Sequence, residues 1–152
     1  MLLDLHNNVK FSRALSPVAA TTDNTAYVSQ ILDTNGFLSN EFIGIAGSLA
    51  DADVTFTVLV EDGDNSGLSD NAAVSDEYLL GTEAGTVTSG AASTGAAPGY
   101  ADDNKTFKIG YTGPKRYVRV TITPAANSGN IFLAGIFAQA NGRKGPYSTQ
   151  VV

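Results

Sequence analysis

The sequence lacks cysteine entirely, and several other chemically useful residues are scarce among its 152 residues. Without thiols the chain has no disulfide, no thiolate metal site and no cysteine nucleophile. It also lacks tryptophan and has one histidine, His6, whose place near the chain start makes accurate positioning as a catalytic base difficult. A surface position is the simpler interpretation of His6. No apolar run approaches the roughly 20 residues that a membrane-spanning helix needs.

Residues 1–6 contain too short an apolar stretch for a signal peptide, and a charged residue interrupts it early. We therefore expect synthesis and folding in a cytoplasm. The length predicts one domain over residues 1–152, since a domain has roughly 150 residues. A chain of this size normally buries about 68–70% of its unfolded surface, which is enough for a stable core without disulfides.

Basic residues are missing from the middle of the chain. The net charge is −6, and residues 14–104 contain no lysine or arginine but 14 of the 15 acids. The negative balance argues against a nucleic-acid partner, because such proteins usually carry a basic face. Two interpretations remain open: folding mixes the segments and removes the asymmetry, or the basic strands form a surface that docks on an acidic partner.

Alternating apolar and polar side chains predict strands along most of the chain. The clearest strand is 115–123, in which three apolar side chains alternate with residues such as Tyr117 and Arg119. The run 131–138 is apolar on both faces, so it is either central in a sheet or covered by a partner. Further strands are predicted at 8–15, 26–33, 42–49, 53–61 and 106–111.

Seven or eight short strands separated by turns predict an all-β, single-domain β-sandwich, most simply a jelly roll. We expect the strands at 106–111 and 115–123 to pair as a hairpin across a four-residue turn at 112–115, which includes the first residue of the second strand. Residues 84–99 are mostly Gly, Ala, Ser and Thr, which predicts a long, flexible, exposed loop. Residues 1–13 and 139–152 are expected to form extended arms, and helix is limited to a single turn near Tyr78.

One loop has the oxygen spacing of a calcium site. Asp62, Asp64, Ser66 and Asp70 stand in the pattern DxDxSGxxD, which matches a calcium loop through its sixth position, but Ala73 occupies the twelfth position and no helices flank the loop. A hairpin connection that uses Asp and Gly for turn geometry is the simpler interpretation, and calcium remains an alternative. No other cofactor is expected.

Seven segments carry a resemblance to a known family. In chain order they are DLHNNVK at 4–10, DNT at 23–25, VSQILD at 28–33, LADADVTFTVLVEDGD at 49–64, LLGTE at 79–83, KIGY at 108–111 and KRYVRVTITP at 115–124. Together they resemble small proteins encoded in the head modules of tailed bacteriophages. The sequence departs from that pattern at 88–99, which looks like extra loop, and at 139–144, which lacks a Gly-His-Pro type of ending.

The resemblance implies a structural, non-enzymatic virion protein of the capsid decoration or cement type. Such a protein would bind the outer surface of the capsid and stabilise the lattice of the major capsid protein. Its partners would be that capsid protein and further copies of itself, as a dimer or trimer, with no nucleic acid and no membrane. It would be synthesised in the cytoplasm of a bacterial host and reside on the virion.

We predict that the outward face of the strand at 115–123, together with the arms, contacts the capsid. The candidate residues are Lys108, Lys115, Tyr117, Arg119, Arg143 and Lys144. The alternative function is a carbohydrate-binding or adhesion module on the virion, with calcium in the loop at 62–70. A hydrolase that uses paired carboxylates is a third reading, but no convincing base or nucleophile accompanies them.

Overall fold

A computed structural model describes residues 4–83, 90, 93–143 and 145–147, and the regular secondary structure of this part of the chain is almost entirely β-strand. In chain order the strands are β1 (Val9–Leu15), β2 (Tyr27–Val28), β3 (Leu32–Asp33), β4 (Ser39–Leu49), β5 (Thr55–Gly63), β6 (Ala72–Ala73), β7 (Leu79–Leu80), β8 (Thr106–Tyr111), β9 (Tyr117–Ala125) and β10 (Ile131–Ala140). Single helical turns lie at Leu5–Asn8, Asp76–Tyr78 and Tyr100–Asp102. None of the helices in the described ranges is long and apolar enough to cross a membrane.

The strands form two antiparallel sheets that pack face to face. Sheet 1 has the order β1-β10-β4-β8-β7; sheet 2 has the order β2-β9-β5-β6, and β3 also pairs with β9. If β2 and β3 are counted as one interrupted strand and the edge strand β7 is left out, eight principal strands remain. Numbered 1 to 8 in chain order, they run 1-8-3-6 in sheet 1 and 2-7-4-5 in sheet 2. This is the strand order of a jelly roll, in which eight strands form two Greek keys. The predicted β-sandwich of jelly-roll type is confirmed.

The core lies between the two sheets and is built from one face of each long strand. The inward residues of β9, Val118, Val120 and Ile122, are almost completely buried, as the alternation predicted. From sheet 1 they face aromatic side chains, including Phe42 of β4 and Phe137 of β10, whose ring centroids are 5.8 Å apart. Burial of each such side chain contributes about 1.5–3 kcal/mol, so these rows supply most of the stabilising free energy.

Two strands of sheet 1 approach each other closely at a glycine. Gly44 of β4 lies opposite Phe107 of β8, and a Cβ atom added at Gly44 would lie 2.2 Å from the Phe107 ring. The aromatic ring therefore occupies the space that a side chain would need. A glycine inside a strand often marks such a close approach of a neighbouring group.

The predicted hairpin between 106–111 and 115–123 is wrong. β8 belongs to sheet 1, where it pairs with β4 and β7, whereas β9 lies in sheet 2 between β2 and β5. Each strand carries an apolar face. The apolar face of β8 packs against sheet 2 and that of β9 packs against sheet 1, so the two faces meet across the core. The short connection between them therefore crosses from one sheet to the other.

The predicted strand at 26–33 is interrupted in the middle. The Ser29 side chain is buried, and its Oγ accepts a hydrogen bond from the Val120 backbone N–H at 2.9 Å. The Gln30 N–H instead donates to the Ala14 carbonyl of β1, at 3.0 Å. This segment thus bridges the edges of the two sheets, and pairing to β9 resumes only at β3.

Part of the predicted flexible loop is buried. Residues 84–89 and 91–92 lie outside the described residues, but Ala96, Ala97 and the following Pro-Gly pair are enclosed by the protein. The Asp102 carboxylate fixes this segment by accepting the N–H groups of Ser93 and Gly99, both at 2.7 Å. Small side chains here allow the chain to pack closely against the core, which composition alone did not reveal.

The described parts of the predicted arms are not extended away from the domain. Residues 9–13 belong to β1, and 139–140 belong to β10. Beyond the strands, the Tyr147 N–H donates to the Asn7 carbonyl at 3.0 Å, and the Tyr147 ring stacks on Phe37 with centroids 5.3 Å apart. Aromatic contact and backbone pairing therefore hold 145–147 against the start of the chain; 1–3 and 148–152 lie outside the described residues.

We expect Ile122→Ala to lower the free energy of unfolding by about 2–5 kcal/mol, because Ile122 is fully buried and truncation leaves a cavity. The neighbouring change Thr121→Ala, on the outer face of β9, should alter it by no more than about 0.5 kcal/mol. Urea unfolding followed by circular dichroism measures both. Equal effects of the two changes would contradict the assignment of the faces.

Candidate functional site

The structure separates the basic residues that were predicted to form one capsid-binding surface. Lys108 lies on the outer face of sheet 1, whereas Tyr117 and Arg119 lie on the outer face of sheet 2, which points the opposite way. Lys115 sits in the connection between the sheets, and Arg143 is exposed just after β10. Lys144 lies outside the described residues. The predicted single basic surface is therefore wrong, because it depended on the hairpin that does not form.

Acidic residues from the middle of the chain pair with the basic residues that follow them. The ion pairs in the described residues are Lys105–Asp102, Lys108–Glu41, Lys115–Asp64, Arg116–Asp33 and Arg119–Glu61. The Arg119 guanidinium donates to Glu61 across β9 and β5 at 2.7 Å, and Arg116 binds both oxygens of Asp33 at 2.9 and 2.8 Å. Folding thus mixes the two segments, which confirms the first interpretation of the charge asymmetry.

The carboxylates of the loop at 62–70 do not converge on a common point. Asp70 accepts the backbone N–H groups of Asp64 and Asn65, at 2.9 and 3.1 Å, and these hydrogen bonds hold its pKa below the ordinary value. Asp64 instead contacts Lys115, and Asp62 points into the core. No cluster of three metal-ligating side chains occurs in the part of the chain that the structure describes. The loop connects the paired strands β5 and β6, and Asp70 holds its turn through these backbone hydrogen bonds.

Asp62 instead belongs to a buried hydrogen-bond network at the crossing between β8 and β9. The Tyr111 hydroxyl donates to Asp62 at 2.7 Å and accepts the Lys115 backbone N–H at 3.0 Å. Burial and the neighbouring Asp62 carboxylate raise the pKa of Tyr111 well above its ordinary value. The network ties the last residue of β8, the crossing and β5 together, so it fixes where the chain changes sheets.

A cleft of about 490 Å³ opens between the edges of the two sheets. Its walls include Lys10 and Ser12 of β1, Gln30, and the fully buried Gln139 of β10. The Gln139 amide nitrogen donates to the Asp33 carbonyl at 3.0 Å and to Asn40 Oδ1 at 2.9 Å. Both partners are acceptors, so the amide orientation is fixed and its oxygen is left without a partner among the described groups. Because that oxygen is sealed from the surface, a ligand in the cleft could not reach it without rearrangement.

The most distinctive surface is the outer face of sheet 1, which is apolar over three adjacent strands. Phe11, Ile45, Phe132 and Ile136 are between 38% and 48% exposed, and Ile43 lies among them. The register places these residues side by side: Ile136 lies opposite Ile43, and Ala134 lies opposite Ile45. We call this surface the apolar face. At one end Val18, which is 70% exposed, and Pro17 extend it beside Phe132, where an apolar groove of about 190 Å³ opens.

Part of the apolar face could be predicted from the sequence. The run 131–138 is apolar on both faces, and β10 is indeed central in sheet 1, between β1 and β4. No described segment covers its outer side, since Phe132 and Ile136 remain exposed. The contribution of Phe11 and Ile45 could not be foreseen without knowing that β1 and β4 flank β10.

Comparison with known proteins adds one structural likeness. No protein-family model matches the sequence, and no curated protein matches it. Among solved structures, the fold is similar to that of a xylan-binding module, CBM15, with a TM-score of 0.42 and 10% sequence identity. The alignment covers 93% of this chain and 96% of the module.

We expect Tyr111→Phe to destabilise the protein by about 1–3 kcal/mol, because it leaves the buried Asp62 carboxylate without its hydroxyl donor. The matched control is Tyr117→Phe on the outer face of sheet 2, which should change the free energy of unfolding by no more than about 0.5 kcal/mol. Urea unfolding at neutral pH measures both. An unaffected Tyr111→Phe variant would show that the network does not hold the crossing.

Two carboxylates should respond to pH in opposite directions. Burial raises the pKa of Glu41 above 4.5 despite the nearby Lys108, so the wild type loses stability from Glu41 as pH rises through that folded-state pKa. The advantage of Glu41→Gln over the wild type should therefore grow as pH rises above 4.5 and then level off. The hydrogen bond from Arg116 lowers the pKa of Asp33 below 3.8, so its stabilising contribution is present above 3.8 and disappears as pH falls through the folded-state pKa.

The comparison variant is Asp33→Asn, which should be less stable than the wild type at neutral pH, with the deficit shrinking in acid. Urea unfolding of the three proteins from about pH 2 to about pH 8 provides the measurement. Parallel pH profiles for both variants would contradict these assignments.

Proposed function

We propose that this protein is a structural component of a tailed-phage virion that binds the outer surface of the capsid and stabilises the lattice of the major capsid protein. The observation that carries the proposal is the apolar face, a surface that the described residues leave exposed on a disulfide-free jelly roll. Contiguous exposed apolar patches on a folded domain mark sites of contact with other macromolecules. The sequence segments that resemble phage head-module proteins are the reason for proposing a phage capsid as the assembly.

The architecture suits a protein that acts in many identical copies. The two sheets are joined by buried polar contacts such as Tyr111–Asp62, so the domain presents its outer faces as rigid surfaces. On a repeating shell, each copy adds the same contact, and modest affinities combine into a large effect on the whole particle. Assembly of the protein with itself as a dimer or trimer is part of the proposal, since capsid axes impose such symmetry.

The charge distribution is compatible with a protein partner. Most basic side chains in the described residues are engaged by acids, and the net charge is −6, so no basic face tracks a phosphate backbone. Nothing favours the alternative of a calcium-dependent carbohydrate module. The Asp62 and Asp70 carboxylates are occupied by donors of the protein itself, and the exposed aromatic rings of the apolar face lie among aliphatic side chains.

The test uses particles of the phage whose genome encodes this chain. We expect particles that lack the protein to release their DNA at a lower temperature and after milder osmotic shock, because the shell loses its external contacts. Adding the purified protein should restore the wild-type release temperature, and the protein should sediment with the shells. If the chain is absent from wild-type virions and its deletion leaves particle stability unchanged, the proposed function is wrong.

A further inference from the structure

We propose that the apolar face binds a surface of a different protein that is apolar at its centre and carries carboxylates on both sides. The proposal rests on the proposed function, in which that partner is the major capsid protein. It replaces the basic surface predicted around Arg119 with a surface on the opposite sheet. It also specifies the chemistry that the partner must present.

One row of the sheet defines the pattern. The strand register aligns Arg13 of β1, Ile136 of β10, Ile43 of β4 and Lys108 of β8 across sheet 1. Two aliphatic side chains are thus framed by two cations in a single line. With strands about 4.8 Å apart, the Cα atoms of Arg13 and Lys108 are about 14 Å from each other. A partner that fits this row has an apolar ridge with acidic groups on either side.

The two cations differ in whether an acidic side chain of the protein already balances their charge. Lys108 lies 3.9 Å from the Glu41 carboxylate, so part of its charge is already balanced. Arg13 makes no ion pair with any described residue, and it donates one hydrogen bond to the Ser16 hydroxyl at 3.0 Å. Planar guanidinium groups bind carboxylates through two parallel hydrogen bonds. Arg13 is therefore the main electrostatic contact, and a carboxylate of the partner is its counterpart.

The apolar part of the surface has a defined anchor position. Phe132 and Ile45 stand on adjacent strands, and the groove beside Val18 opens next to them. An apolar side chain of the partner that enters this groove contacts aliphatic and aromatic groups, among them Val18, Ile45 and Phe132. Apolar anchors that fill a pocket of the other protein often account for a large share of the binding energy.

A second copy of this chain does not complement the same face. If two copies stack with a two-fold axis parallel to the strands, Arg13 of one lies over Lys108 of the other. If the axis runs across the strands, each cation lies over its own equivalent. Glu41 cannot relieve either arrangement, because its carboxylate leans over Gly110 beside its own Lys108. Like charges therefore frame the interface in both cases, which disfavours face-to-face self-association.

A membrane surface is also a poor match. Stable electrostatic attachment to anionic lipid usually needs a cluster of about four to eight basic residues. The apolar face has two cations, one of them beside an acid, on a protein whose net charge is −6. The charge pattern thus favours a protein surface with matching carboxylates.

The experiment measures binding of purified variants to shells isolated without this chain, by co-sedimentation over a range of protein and salt concentrations. We expect Phe132→Ser and Ile136→Ser each to weaken binding by about tenfold or more. Arg13→Glu should weaken it comparably and reduce its salt dependence, whereas Arg13→Lys should retain most of the affinity. The matched control is Leu59→Ser, on the outer face of sheet 2, where Leu59 is 39% exposed; it should bind like the wild type.

Thermal unfolding of each variant verifies that it is folded before its binding is interpreted. If the wild type binds shells and the Phe132, Ile136 and Arg13 variants bind equally well, the inference is overturned while the proposed function stands. If the wild type itself does not bind shells, both fail. Sedimentation velocity and liposome flotation with anionic vesicles complete the test: a dimer dissociated by Phe132→Ser, or vesicle binding lost in Arg13→Glu, would show that a second copy or a membrane occupies this face instead.

Discussion

The structure depends on one constraint: each long strand must bury a row of alternating side chains against the sheet opposite. β9 meets it with Val118, Val120 and Ile122, and β10 meets it from the other side with Leu133 and Phe137. Because consecutive principal strands alternate between the sheets, most connections have to cross the sandwich. The jelly-roll order follows from this alternation, and so does the need for fixed crossing points such as the Tyr111–Asp62 contact.

The same crossings determine where charge ends up on the surface. In the sequence the basic residues after position 104 are separated from the acids that precede them. In the fold, β9 lies beside β5, so Arg119 meets Glu61, and β3 lies near the start of β9, so Arg116 meets Asp33. The separation of basic and acidic residues along the chain therefore becomes a set of local ion pairs on the folded surface. The apolar face is the main surface outside this pattern, and it lies on sheet 1, opposite the Arg119–Glu61 pair on sheet 2.

The fold class could be predicted from the sequence because period-two alternation is a local property, clearest in β9 and β8. Pairing partners could not, because alternation states which residues face inward but not which strand lies alongside. The hairpin error illustrates this: five residues separate β8 from β9, and a connection of that length serves a hairpin or a crossing equally well. The site depended on that pairing, so the predicted set around Lys108 and Arg119 was divided between opposite surfaces. The two-sided apolar run of β10 carried the better clue, since it predicted a strand that is either central in a sheet or covered on its outer side by a partner.

The bridge from Gln30 to Ala14 has a consequence for the exposed edge of sheet 1. β1 is an edge strand of sheet 1, and an edge with free backbone groups can recruit a strand from another molecule. Here the Gln30 N–H occupies the Ala14 carbonyl, and the register shift between Arg13 and Leu15 interrupts the regular edge. Charged side chains at Lys10 and Arg13 further oppose strand addition. This edge of sheet 1 is thereby protected against the addition of a strand from another molecule.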